Sequence, residues 1–207
     1  MWRPEFIAKQ GRHPSGILGW IVARVMATET TAENAATIEL LDLQPYDRVL
    51  EIGFGHGRTV AKAAAIVRKG FVAGVDWSER MVEVATHHNR RLIAEGRIEL
   101  KRGLINPLAY ANNEFDKVYS VHTIYFWENP IGDLREIARV MKPGARFVLG
   151  FRPKDDQTAS AFPETIYTHY ASDEVRAFLE KSGFGSVQIV DRRFSRRIVC
   201  FAMARRA

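Results

Sequence analysis

The chain has 207 residues, 46% hydrophobic and 26% charged, with 30 Lys and Arg against 24 Asp and Glu for a formal net charge of +6. It is long enough for one substantial core, and nothing in its composition calls for a second large domain or prolonged disorder. A single cysteine, Cys200, excludes an intrachain disulfide framework and a cysteine-rich metal site.

The start lacks the uninterrupted apolar run of a signal peptide, so a cytoplasmic location is expected. Residues 1–14 form a basic and aromatic lead with Trp2, Arg3, Phe6, Lys9, Arg12 and His13. A helix is predicted from Pro14 or Ser15, with Ile17, Leu18, Ile21, Val22, Val25 and Met26 on one broad apolar face. It is too short and interrupted to span a bilayer; it reads as packed over the domain, with a lid or an interfacial helix as the alternative. Thr30 and Glu33 fit a capping box for a second helix ending near Leu41. Residues 1–44 are therefore read as a helical cap contiguous with a main domain, 45–207.

Pro45 and Asp47 turn the chain into Arg48-Val49-Leu50-Glu51-Ile52, an apolar run with the look of a buried strand. Gly53-Phe54-Gly55-His56-Gly57 follows, a spacing that allows a tight turn and lets backbone approach a ligand. Thr59 to Lys69 reads as a helix stopped by Gly70, and Phe71 to Asp76 as the second strand. At its end the Asp76 carboxylate can accept from two ribose hydroxyls, a spacing shared with nicotinamide-binding proteins. Ser78 is placed as the cap of a helix carrying Met81, Val82 and Ala85. His87 and His88 are adjacent, so on a helix they point about 100 degrees apart; no metal site is expected.

A third strand is predicted over Arg97 to Arg102, then Gly103 and Leu104. Phe115 to Val121 begins a fourth strand that opens into His122-Thr123-Ile124-Tyr125-Phe126-Trp127-Glu128. A helix over Asp133 to Val140 leads through Lys142-Pro143-Gly144 to a strand from Arg146 to Phe151. Residues 152–171 break the rhythm, with Tyr167 and His169 weighed as substrate contacts against a plain surface loop. A helix from Ser172 to Ser182 ends at Gly183, and Val187 to Val190 with Arg197 to Met203 supply a closing hairpin in which Cys200 is a buried strand residue. Arg192, Arg193, Arg196, Arg197, Arg205 and Arg206 crowd this end. They read as a solvated edge, with an anionic substrate, a membrane surface or nucleic acid as alternatives.

Four stretches together resemble class I S-adenosylmethionine-dependent methyltransferases, especially the small bacterial single-domain members: Glu51 to Gly57, Val75 to Val82, Phe115 to Glu128, and Arg139-Val140-Met141-Lys142-Pro143-Gly144. The resemblance implies an α/β fold of Rossmann-like methyltransferase type. Its sheet would be seven-stranded and mostly parallel, with an antiparallel C-terminal strand and helices on both faces. It makes 45–207 the catalytic domain and S-adenosylmethionine the cofactor. Gly53, Gly55, His56 and Gly57 would run under its methionyl part, Glu51 would hold the loop and the amino group, and Asp76 the ribose. Trp77, Met81, Gly103, Leu104 and Val121 would complete the pocket. Many relatives carry an acid near Leu104 for the adenine amino group, and this chain does not. The sequence Pro14-Ser15-Gly16-Ile17-Leu18-Gly19 looks like part of a wall over the cofactor.

At His122 the similar enzymes commonly have Asn. An imidazole there is either a general base toward the acceptor or a local structural hydrogen bond. Tyr125 is a candidate for orienting the acceptor and Glu128 for binding a cation or accepting a proton, with core packing and a solvated helix entry as their plain readings. The implied reaction is in-line methyl transfer to oxygen or nitrogen of a small molecule, needing positioning rather than a metal or protein nucleophile. Nucleic acid is not the expected partner, and a homodimer is left open. The alternatives are a lipid or nucleic-acid methyltransferase, a non-catalytic nucleotide-binding module, and a nicotinamide-dependent oxidoreductase.

Overall fold

A computed structural model describes residues 30–161, 163–195 and 197–207. The expected N-terminal helix, the Pro14 to Gly19 wall and Arg196 lie outside the described residues. Helix α1 spans Thr31–Leu41, β1 Arg48–Ile52, α2 Arg58–Ile66, β2 Phe71–Asp76, α3 Glu79–Ala94 and β3 Ile98–Arg102. After these come β4 Phe115–Val121, α4 Pro130–Val140, β5 Met141–Phe151, α5 Ser172–Lys181, β6 Phe184–Phe194 and β7 Arg197–Arg206.

The seven strands form one sheet in the order β3-β2-β1-β4-β5-β7-β6. Strands β1 to β5 pair in parallel, while β7 runs antiparallel to both β5 and β6. Successive strand residues point to opposite faces, so Val49 and Leu50 enter different cores. Val49, Val72, Tyr119, Val148 and Phe201 pack with Ala36 and Leu41 of α1, Val60 and Ala63 of α2, and Ala85 of α3. Leu50, Val118, Phe147 and Leu149 pack on the other face with Leu134 and Ile137 of α4 and Val175 and Leu179 of α5. Covering both faces is what makes β1 and β2 read as continuous apolar runs rather than alternating ones. This is the Rossmann-like methyltransferase arrangement that the motifs implied.

Several boundaries differ from the sequence reading for identifiable reasons. Helix α2 ends at Ile66, before Gly70. Gly70 instead lets β2 start alongside the preceding turn: a Cβ there would sit 2.1 Å from the Asp47 carbonyl oxygen, and the Lys69 and Phe71 N–H groups donate to Pro45 and Asp47. Strand β5 begins at Met141, and the Pro143-Gly144 pair lies within it as a register shift opposite β4. The closing hairpin is longer than expected, because β6 is half-buried along most of its length and its polar residues hid it from an apolar search. The capping box at α1 is absent: Thr30 makes no side-chain cap, and the buried Glu33 side chain turns inward to His122 and Arg197 instead. No described helix is long and apolar enough to cross a membrane.

Candidate active site

The carboxyl ends of β1, β2, β3 and β4 open into a cleft of about 570 Å³, at the place where strand order reverses between β1 and β4 and where open α/β sheets gather ligands. The glycine loop is its floor. Gly53 sits at φ +74° with its N–H donating to the Val75 carbonyl at 2.7 Å, and a Cβ on it would lie 2.4 Å from Thr123 Cγ2. Gly55 sits at φ +52° facing open space, and its N–H donates to Asp76 Oδ2 at 2.8 Å. Gly57 does not line the cleft; it lets α2 approach α3, since a Cβ would come within 2.6 Å of Ala85 Cβ, and its carbonyl accepts from Asn89 at 3.1 Å.

Asp76 is 8% exposed, and its second oxygen accepts the Ser78 N–H at 2.9 Å. Ser78 in turn caps α3 by accepting from the Met81 N–H, so one short turn fixes Asp76, Trp77 and Met81 together. Trp77 is an exposed indole at the rim and Met81 is buried below it. Gly103 donates to the Asp76 carbonyl at 3.0 Å, and Leu104, 60% exposed, stands at the same rim. Val121 closes the floor from β4. His56 is pushed down to about 4 by burial, then by the Arg58 charge. Its ring is therefore neutral, with Nδ1 accepting from the Arg58 N–H at 3.2 Å.

Glu51 is 4% exposed and accepts from the Tyr119 hydroxyl at 2.6 Å. Burial pushes its carboxyl up to about 8; the Tyr119 bond opposes this and the Asp76 charge adds to it. The folded chain keeps a proton that the unfolded chain gives up near its ordinary value, so the folded state binds more protons between the two values and stability falls as pH rises through that window. Glu51→Gln is thus expected to be more stable relative to wild type as pH is raised from about 5 to about 8, with the difference constant above. Urea unfolding at several pH values checks this; parallel curves across the window would contradict it.

His122 and Tyr125 are adjacent but differently placed. His122 lines the cleft, and both its ring nitrogens are engaged: Nδ1 with the Tyr125 hydroxyl at 2.9 Å, Nε2 with Glu33. Tyr125 is buried behind it, accepts the Arg152 N–H, packs against Tyr167 and His169, and does not line the cleft. Its phenol is pushed up by burial and stays protonated. His169 is pushed down to about 4 by burial, then by Arg152, and neither it nor Tyr167 reaches the cleft. Glu128 is exposed at the mouth beside Phe126 and Trp127. Cys200 is buried and its thiol is pushed up to about 12 by burial, then by Asp191, so it is inert. The sequence reading missed Thr123, Asp133 and Asn34 in the lining and Glu33 behind it; Thr123 lies inside the Phe115 to Glu128 stretch and Glu33 in a capping-box pattern, and neither motif marks the role the fold gives it.

Among the described lining residues, Glu51, Asp76, Glu128 and Asp133 are acidic and none is Lys or Arg. S-adenosylmethionine, which carries a sulfonium and an ammonium against one carboxylate, fits this lining and the glycine floor.

Comparison with known proteins agrees. The chain is 32% identical over 136 residues to the putative methyltransferase YrhH of Bacillus subtilis (strain 168), covering 66% of this chain and 74% of that one. The chain belongs to the class I S-adenosylmethionine-dependent methyltransferases. The family described as "Methyltransferase domain" matches residues 50–149. The uncharacterized methyltransferase YdaC of the same bacterium is 28% identical over 169 residues, covering 82% of this chain and 88% of the relative. A crystal structure of a SAM-dependent methyltransferase from Aquifex aeolicus superposes with TM-score 0.72 at 22% identity, over 84% of this chain and 90% of that one, and so shares the fold. The methyltransferase is thus an enzyme whose cofactor is S-adenosylmethionine. Among the described residues no group of three or more His, Cys, Asp or Glu is placed to hold a metal.

Proposed function

We propose that this methyltransferase acts on an oxygen or nitrogen of a small molecule that is neutral or cationic. The observation that carries this reading is the charge of the cleft: in a chain of net charge +6, its described lining holds the acidic residues Asp76, Glu128 and Asp133, together with Glu51, whose carboxyl burial pushes up to about 8, and no Lys or Arg. A phosphate or carboxylate near the reacting centre would face these acidic groups with no Lys or Arg among the described lining residues to offset them. When bound, the cofactor supplies an electrophilic methyl group.

The chain's own residues bind and orient. Glu51 receives the amino group, Asp76 the ribose hydroxyls, and Gly53 and Gly55 give their backbone to the methionyl part. Trp77, Met81, Gly103, Leu104 and Val121 enclose the nucleoside, and Gly57 supports the loop by packing. On the acceptor side, Phe126 and Trp127 form an apolar wall and Glu128 offers a carboxylate to a cation or a departing proton. Between the two readings of His122, two engaged ring nitrogens favour positioning over direct proton abstraction. Residues 1–44 act as a cap on the catalytic domain 45–207, a reading supported by Thr30 and Asn34 of the cap at the cleft mouth. A cytoplasmic location remains part of this proposal.

The test is incubation of the enzyme with methyl-labelled S-adenosylmethionine and cell extract pre-separated into anionic, neutral and cationic metabolites, lipid and RNA. Label is expected in a neutral or cationic small molecule; label in the anionic, lipid or RNA fraction would overturn the assignment.

A further inference from the structure

Glu33 lies among buried polar groups but outside the four stretches that carry the family resemblance. Its side chain is fully buried on α1, and it meets His122 Nε2 at the end of β4 and Arg197 Nε at 2.8 Å at the start of β7. Burial acts to raise its carboxyl, but the His122 bond and charge, then Arg197 and Arg152, outweigh it and hold the group below its ordinary value. An ionised carboxylate only accepts, so His122 Nε2 carries a proton toward Glu33. Nδ1 pairs with the Tyr125 hydroxyl, whose oxygen accepts the Arg152 N–H.

The ring so fixed belongs to a residue at φ +59°, a conformation uncommon for a side-chain-bearing residue and retained where surroundings over-determine it. Its neighbour Thr123 is the group against which Gly53 is packed. Thr30, just before α1, and Asn34, on it, flank Glu33 and line the cleft. One buried carboxylate thus joins two walls of the cofactor cleft, the β4 turn and α1.

We propose that Glu33 is a positioning residue for the cofactor site, acting through His122 to hold the β4 turn and α1 against the glycine loop. The inference does not depend on the identity of the acceptor. It is tested with S-adenosylhomocysteine as the probe, by calorimetry on the full chain, in wild type, Glu33→Gln, His122→Asn and the double variant. Asn keeps the positive φ accessible while removing the ring.

Each single change is expected to weaken binding about 10-fold, and the double variant by about the same 10-fold rather than 100-fold, since groups acting through one another are not additive. In parallel, ¹⁵N spectra are expected to show a proton on Nε2 of the wild-type His122 ring, and a changed ring signal in Glu33→Gln. Multiplying effects, or single variants that bind like wild type, would overturn the proposal. If Glu33→Gln fails to fold, the wild-type spectrum and His122→Asn decide it: a ring with no proton on Nε2, or unchanged affinity in His122→Asn, counts against it. Wild-type protein that does not bind the probe at all would instead indict the cofactor site itself.

Discussion

Replacing Asp76 by Ala is expected to weaken S-adenosylmethionine binding by about 100-fold, near 2.7 kcal/mol, the scale of hydrogen bonds to a charged acceptor. Two effects sum here. The substitution removes the acceptor placed for the ribose, and it releases the Gly55 and Ser78 N–H groups that the two carboxylate oxygens hold at 2.8 and 2.9 Å. The loop and the start of α3 would lose their common tether. Asp76→Asn keeps one acceptor oxygen and should fall between, at about 10-fold. Calorimetric titration of the three proteins checks the order; equal affinities would remove Asp76 from the site.

The second large effect concerns the glycine floor, where two neighbouring glycines should answer differently to the same substitution. Gly53→Ala combines a positive φ with a Cβ placed 2.4 Å from Thr123 Cγ2. The β4 turn must move to admit it, and an overpacked contact of this kind costs about 1–3 kcal/mol beyond the backbone strain. Gly55→Ala meets nothing within 4 Å and bears only the strain of its positive φ, about 1–2 kcal/mol. Thermal unfolding without ligand should therefore show Gly53→Ala as the less stable of the pair. Cofactor binding should be lost in Gly53→Ala, because the displaced turn carries Val121, His122 and Thr123. Equal stability of the two variants would mean that Thr123 does not confine Gly53.

These two residues also show what a sequence can reveal. A glycine that needs positive φ and an acid that ends a strand are local requirements, written in adjacent residues, as is the Ser78 cap. The parallel core strands were legible for the same reason, since burial on both faces leaves an apolar run. Glu33 was not. Three residues after a threonine it has the pattern of a capping box, and only the fold brings it to His122, 89 positions away, where burial against imidazole and guanidinium outweighs a solvent-exposed backbone N–H. Gly57 misleads in the opposite sense. It stands in the ligand-binding motif, yet its space is taken by Ala85 and Asn89 of the next helix. Whether a motif glycine faces a ligand or a neighbouring helix depends on packing that the spacing does not encode.

The most direct test of the account is a crystal structure of the enzyme with S-adenosylhomocysteine. The ligand is expected in the cleft at the ends of β1, β2 and β4, with its ribose hydroxyls on the Asp76 carboxylate and its amino group on the side of Glu51. A ligand bound elsewhere, or bound in the cleft with neither carboxylate within hydrogen-bond reach, would contradict it.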